Sequence, residues 1–269
     1  MSGAAPLERS AALEVAREAA LEAGRVLLEH FGHLQAGEIG SKSAARDLVT
    51  AADLASERAI VARLRARFPE HAIEAEEETH DAPSAEGGLR WFIDPLDGTV
   101  NFVHQLPIFA VSIALYRGGV PEVAVVHAPK LGETFTATRG GGAQLDGRGI
   151  RISSTSALGD AILATGFPYR RNELAHSNLE NFGRFFYDVR GMRRMGSAAL
   201  DLAYVAAGRF DGFWELHLSP HDVAAGALLV REAGGVVTDA DGGEDWLRGG
   251  HIVAAGPVLH PTIRERIRH

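Results

Sequence analysis

The segment RWFIDPLDGTVNF, residues 90–102, places two carboxylates, Asp94 and Asp97, directly behind the apolar run Trp91-Phe92-Ile93. A buried carboxylate is costly unless something pairs with it. Pro95 and the Asp97-Gly98 step carry turn chemistry, so these acids fall where a buried strand ends, a common place for ligand-holding groups in layered α/β proteins. An Asx-type turn, with each Asp capping local N–H groups, explains a lone D-x-x-D equally well. Three further acidic positions stand beside it. The run EAEEE, residues 74–78, closes another strand-like segment; Asp222 falls in the first turn of a helix behind Pro220; Asp47 lies just before a helix. Each has an ordinary explanation, as a solvated loop or a helix-dipole or capping acid. Together they form an array of acids at element ends that suits hard divalent cations. Magnesium takes few protein carboxylates and fills its octahedron with water and substrate phosphate. Two such ions about 3.5–4 Å apart clamp a phosphate and activate a water for in-line attack. Gly98 lets the backbone approach an anion, and the Thr99 hydroxyl is placed to orient the attacking water.

The elements that must position these groups follow from periodicity. Ala12, Val15, Ala16, Ala19, Ala23, Val26 and Leu27 recur at helical spacing, with Gly32 as a stop. Thr50 and Asp53 form a T-x-x-D capping pattern for a second helix whose face is Leu54, Val61, Leu64 and Phe68, ended by Pro69. HAIEAE, LRWFID, FAVSIALYRGG, PEVAVVHAP and ETFTATRGGG are predicted strands, mostly joined by turns short enough for an antiparallel meander. The RGGG at 139–142 lacks the lysine of a nucleotide-binding loop and is predicted to be a hairpin turn. Beyond about residue 150 strands and helices alternate. AILATGF, MRRM, DGFWEL and GVVTDA are predicted strands; AHSNLENFGRFFYDV, SAALDLAYVAAG and HDVAAGALLVREAGG are predicted helices. The expectation is an α+β half over 1–149, carrying most of the acids, and an α/β half over 150–269, sharing one core.

Composition narrows the function. The 269 residues are 46% apolar, enough for a sizeable core. A net charge of −8 makes the chain a poor electrostatic partner for nucleic acid or anionic membrane. With no cysteine, disulfides, zinc-thiolate sites and thiol nucleophiles are excluded. The N-terminal stretch lacks signal-peptide layout and no apolar run approaches the roughly 20 residues of a membrane span, so a cytoplasmic protein is expected. Neither a G-x-S-x-G elbow nor an H-E-x-x-H pair is present.

Taken together, DLVTAAD at 47–53, EE at 76–77, WFIDPLDGTVNFVHQLP at 91–107, GGGAQLDG at 140–147, GSAALDLAYVAAGRFDGFWEL at 196–216 and HDVAAGALLVREAGG at 221–235 resemble the inositol monophosphatase family of magnesium-dependent, lithium-sensitive phosphatases. The resemblance implies a layered α-β-α-β-α sandwich of the kind shared with fructose-1,6-bisphosphatases, a homodimer, and two or three Mg2+ ions. It implies metal ligation by Glu76, Asp94, the Leu96 carbonyl, Asp97 and Asp222. Asp47 would help hold a metal and, with Thr99, activate the water; Glu76 would share in catalysis. Gly98 and Thr99 would cradle phosphate. Glu215 and the Gly196-Ser197-Ala198 turn would face the alcohol part of the substrate, alongside Asp97 and Asp222. Two positions depart from the family pattern. His221 stands where Trp is usual, and is expected to form a wall or surface rather than change the metal preference. Ala75 stands where Gly is usual, and strains the loop if φ there must be positive.

Asn101, two residues past Thr99, matches the inositol phosphatases; relatives acting on 3′-phosphoadenosine 5′-phosphate tend to carry Lys-Glu-Phe there, and histidinol phosphatases Lys-Ser-Phe. A carboxylate at 215 suits a polyol. The expected activity is hydrolysis of inositol 1-phosphate, with fructose 1,6-bisphosphate open as an alternative. Arg170, Arg171, Arg193 and Arg194 are candidates for a second phosphate, with surface or interface charge the favoured explanation. An alternative of another class is a regulatory protein that binds the transcription machinery.

Overall fold

The small residues of the first helix, α1 (Pro6–His30), do what their spacing predicts: Ala12, Ala16, Ala19, Ala20 and Ala23 are all buried, which lets the helix lie close to the layer beneath it. The computed structural model describes residues 6–42, 47–82 and 87–269; residues 1–5 of the N-terminal stretch and 43–46 ahead of Asp47 lie outside them. A short antiparallel pair, β1 (Ile39–Ser41) and β2 (Leu48–Thr50), leads into α2 (Ala51–Arg67). Thr50 caps α2 as predicted, its Oγ1 accepting the Ala52 N–H at 3.1 Å while Asp53 accepts the Thr50 N–H at 2.8 Å.

The large sheet runs β3 (Ala72–Ala75), β4 (Leu89–Asp97), β5 (Ala110–Arg117), β6 (Val120–Ala128), β7 (Glu133–Thr138), β8 (Gly142–Leu145) and β9 (Arg148–Gly149), neighbours in that order. From β4 onward it is the expected antiparallel meander, whereas β3 pairs with β4 in parallel. The glycines at 140–142 make the β7–β8 hairpin turn, with the Gly141 N–H bonded to Thr138 O at 2.8 Å. Between β4 and β5 lies the short helix α3 (Thr99–Val103).

The oily run on β4 is explained by burial on both faces. Trp91 and Ile93 join the core under α1 and α2, while Phe92 joins the core on the opposite face. β5 repeats the division, sending Val111, Ile113 and Leu115 one way and Ala110, Ala114 and Tyr116 the other.

The second sheet holds β10 (Ile162–Thr165), β11 (Gly191–Arg193), β12 (Gly212–Leu216), β13 (Val236–Thr238) and β14 (His251–Ala255), in the order β11-β10-β12-β14-β13. It is mixed: β10 pairs in parallel with β11 and β12, and β14 enters antiparallel between β12 and β13. Helices α5 (Ala198–Ala206) and α6 (Pro220–Glu232) are buried between the two sheets. Helices α4 (Leu179–Phe186) and α7 (Leu259–Arg266) cover the outer face of the small sheet. The layers are therefore α-β-α-β-α. The expected helix over 175–189 is shorter because Asn178, in a left-handed conformation, is pinned by bonds from its Nδ2 to Gly166 O at 2.6 Å and to Thr165 Oγ1 at 2.9 Å. No helix of the described residues is long and apolar enough to cross a membrane.

Candidate active site

The site begins where β4 stops being regular. Its register against β5 shifts between Asp94, which pairs with Ser112, and Asp97, which pairs with Ala110, so Pro95 and Leu96 bulge out of the ladder between the two acids. Asp94 Oδ1 accepts the Leu96 N–H at 2.9 Å. Gly98 follows at φ 96°, and a Cβ there would come within 2.9 Å of Ile108 O and 3.3 Å of Gly196 O. Only glycine meets both demands.

Two other segments converge on these acids. Asp97 Oδ2 receives the Ser197 hydroxyl at 2.6 Å and the Ala199 N–H at 2.7 Å, from the start of α5. Asp222, in the first turn of α6, has Oδ2 held by the Ser219 N–H at 2.7 Å and hydroxyl at 2.8 Å. One oxygen of each acid is thus anchored by a helix start. Carboxylate oxygens of Asp94, Asp97 and Asp222 lie within 4.8 Å of one another. Burial, with repulsion from Glu76 and from one another, pushes Asp97 up to about 6, Asp222 up to about 7, and Asp94 well above its ordinary range. Three acids this close, Asp94 and Asp97 buried and Asp222 half-buried, all oxygen donors, fit a hard divalent cation that would supply the missing positive charge.

Glu76 follows β3, its N–H bonded to Ile93 O at 3.1 Å, and lines the same cleft of about 480 Å³. Lys42 Nζ bonds Glu76 at 2.8 Å and also reaches Glu77. Glu78 turns outward to Arg58 at 2.9 Å, so among the consecutive glutamates it is Glu76 that lines the cleft. Ala75 ends β3 and is not among the residues with positive φ, so alanine strains nothing there. His221 is half-buried and does not line the cleft; its Nε2 has no hydrogen-bond partner among the described residues.

The acid hydrogen-bonded to Thr99 is Asp53. Thr99 Oγ1 lies 3.1 Å from Asp53 Oδ1 and 3.1 Å from Leu96 O. Asp53 is fully buried on α2, and burial, opposed by the Thr50 bonds, raises it to about 6. The sequence marked Asp53 only as a cap; nothing in a T-x-x-D pattern tells which distant side chain meets its second oxygen. Asp47 lines the cleft.

Opposite the acids, Glu215 lies near the end of β12 and is pushed up to about 8 by burial, against the opposing pull of Arg194. Room for its carboxylate comes from Gly166, where a Cβ would sit 2.1 Å from both Glu215 oxygens. Gly196, Ser197 and Ala198 line the cleft, with the Ser197 proton committed to Asp97. Asn101 does not line it: its Nδ2 ties Ile108 O at 2.7 Å to Met195 O at 2.8 Å, a brace under the Gly196 turn. Of the four arginines, Arg170 and Arg194 line the cleft, the former paired with Glu173; Arg171 and Arg193 are exposed outside it.

The model of a family described as "Inositol monophosphatase family" matches residues 8–269. The chain is 47% identical over 256 residues to "Nus factor SuhB" of Salmonella typhimurium, covering 95% of each chain. It is 44% identical over 269 residues to "Inositol-1-monophosphatase" of Rhizobium meliloti, covering 97% of this chain and 98% of the other. The crystal structure of extragenic suppressor protein suhB from Bartonella henselae superposes with a TM-score of 0.89 at 41% identity, covering 95% of this chain and 98% of that one.

Proposed function

This chain belongs to the inositol monophosphatase family, and we propose that it is a Mg2+-dependent phosphomonoesterase whose substrate is inositol 1-phosphate. The observation that carries the reading is the cluster of Asp94, Asp97 and Asp222, two of them buried and the third half-buried, with carboxylate oxygens within 4.8 Å of one another. These acids, with Glu76 and the Leu96 carbonyl, would hold two or three cations. When bound, Mg2+ would neutralise the phosphoryl oxygens and lower the pKa of an attacking water.

The chain's own residues divide the remaining work. Asp53 accepts the Thr99 proton, which leaves Thr99 Oγ1 free to accept from a water in the cleft. Asp47, at the cleft wall, is placed to help hold a cation. Gly98 and Thr99 bring backbone N–H groups toward the phosphate. Glu215, protonated near neutral pH at a pKa of about 8, offers both a donor and an acceptor to adjacent hydroxyls of a polyol. Lithium sensitivity and a homodimer belong to the same proposal and rest on the family resemblance; a cytoplasmic location belongs to it too and rests on the N-terminal stretch and the lack of a long apolar run.

The test is phosphate release from inositol 1-phosphate, fructose 1,6-bisphosphate, 3′-phosphoadenosine 5′-phosphate and histidinol phosphate, with and without Mg2+ and then with Li+. Mg2+-dependent release fastest from inositol 1-phosphate is the expected result. Release from none of them by folded, Mg2+-supplied protein would overturn it.

The 47% identity to proteins named Nus factor supports a second reading, a regulatory protein that binds the transcription machinery. Immobilised full chain retaining RNA polymerase or ribosomal proteins at physiological salt would support it; retention of neither would remove it.

A further inference from the structure

Helix α2 turns a polar face inward. Asp53, Ser56 and Glu57, spaced i, i+3, i+4, are all buried, and each reaches a different segment of the site. Asp53 takes Thr99. Ser56 donates to Pro95 O at 2.8 Å, inside the D-P-L-D turn. Glu57, 1% exposed, accepts three consecutive backbone N–H groups: Glu77 at 2.8 Å on Oε2, and Glu78 at 3.0 Å and Thr79 at 2.8 Å on Oε1.

A carboxylate gripping three successive amides fixes the path of a loop as firmly as a helix cap does. The gripped loop begins one residue after Glu76. On its other side Glu76 is tied to the sheet by its own N–H, bonded to Ile93 O. The Glu76 backbone is therefore fixed from both directions by protein groups alone.

We propose that Glu57 is a positioning residue for cation binding, holding the 77–79 amides so that the Glu76 carboxylate enters the cleft at the distance the cation requires. Glu57 does not line the cleft, so it acts through the loop. The inference rests on the reading of Glu76 as a metal ligand.

The first measurement is Mg2+ binding by calorimetry to wild type, Glu57→Gln, Glu76→Gln and the double variant. Glu57→Gln keeps the size but offers one accepting oxygen for three amides. Its Mg2+ affinity should fall about 10- to 100-fold, as for other groups that orient a ligand from behind. In the Glu76→Gln background the same substitution should change affinity by less than about twofold, because the two residues act on one interaction. Equal losses in both backgrounds, or wild-type affinity in a folded Glu57→Gln protein, would overturn the proposal. A wild type that binds no Mg2+ would instead sink the metal reading, and this inference with it. The second measurement needs no variant: hydrogen exchange at the Glu77, Glu78 and Thr79 amides of wild type. Glu57 as organiser predicts the same protection with and without Mg2+. Protection that appears only with Mg2+ would make the cation the organiser and overturn the proposal, even if Glu57→Gln fails to fold.

Discussion

Thr99 Oγ1 lies 3.1 Å from Asp53 Oδ1, although the two residues are 46 positions apart and sit on different helices. Asp53 is buried, and its other oxygen is occupied by Thr50. Removing its charge should leave the Thr99 proton without its strongest acceptor. We expect Asp53→Asn to lower kcat by about 10²- to 10⁴-fold, the usual scale for a lost proton-handling group, with Mg2+ affinity within about threefold of wild type. Steady-state kinetics on inositol 1-phosphate, with calorimetry of Mg2+, checks both. A loss of turnover under tenfold would remove Asp53 from the reaction.

Cation removal should make stability depend on pH with a definite sign. Asp222 and Glu77 are raised to about 7 and Glu215 to about 8, chiefly by burial. A raised folded-state pKa means that the folded protein binds more protons than the unfolded one, so stability is lost as pH rises through the folded value. Buried His127 and His260, with lowered pKa, act oppositely, but that effect is complete near their ordinary value of about 6.5. In EDTA the melting temperature should therefore fall between pH 6.5 and pH 8.5, and Mg2+ should restore it most at the higher pH. Melts that coincide with and without Mg2+ at pH 8.5 would contradict this.

Gly166→Ala places a methyl where the Glu215 carboxylate now lies. The carboxylate must move, and the polyol end of the cleft loses its polar group. KM for inositol 1-phosphate should rise about tenfold or more, equivalent to about 1.4 kcal/mol. Turnover of p-nitrophenyl phosphate, which has no polyol, should change little. Equal losses on both substrates would place the defect in the acid cluster instead.

Asn101→Ala tests how Asn101 marks a substrate class. Its amide braces two carbonyls and does not line the cleft, so the variant should lose about 1–3 kcal/mol of stability, the cost of buried acceptors left unmade. The ratio of kcat/KM for inositol 1-phosphate to that for fructose 1,6-bisphosphate should stay within about twofold. A switch in preference would show that the brace sets specificity through the Gly196 turn.

Particular residues show what was legible in the chain. Asp94, Asp97 and Asp222 could be picked out because local chemistry marks them: an acid behind a buried strand, and an acid behind a helix-starting proline. The five layers were implied by the family resemblance; the alternation of apolar residues reached only an α+β half followed by an α/β half. Asp53 and Glu57 could not, because on α2 they look like a cap and a solvent-facing glutamate; their partners arrive from 46 and about 20 residues downstream. The parallel pairing of β3 was equally hidden, since strand direction depends on the path of the connecting chain and not on side-chain alternation. Strand β14 and helix α7 were not anticipated: HIVAA is a short apolar run between glycines and proline, and its place between β12 and β13 is set by tertiary pairing alone.

The two-faced burial of β4 and β5 has a consequence during synthesis. Phe92, Ala110, Ala114 and Tyr116 are covered by α5 and α6, which lie far downstream. When the large sheet has left the ribosome, about 80 residues still separate it from the end of α6, or roughly 4–16 s at about 5–20 residues per second. Through that interval the nascent chain carries a wide apolar sheet face with nothing on it. A stall or truncation after residue 149 would make the exposure permanent, and the product should depend on chaperones or aggregate rather than persist as a half-molecule.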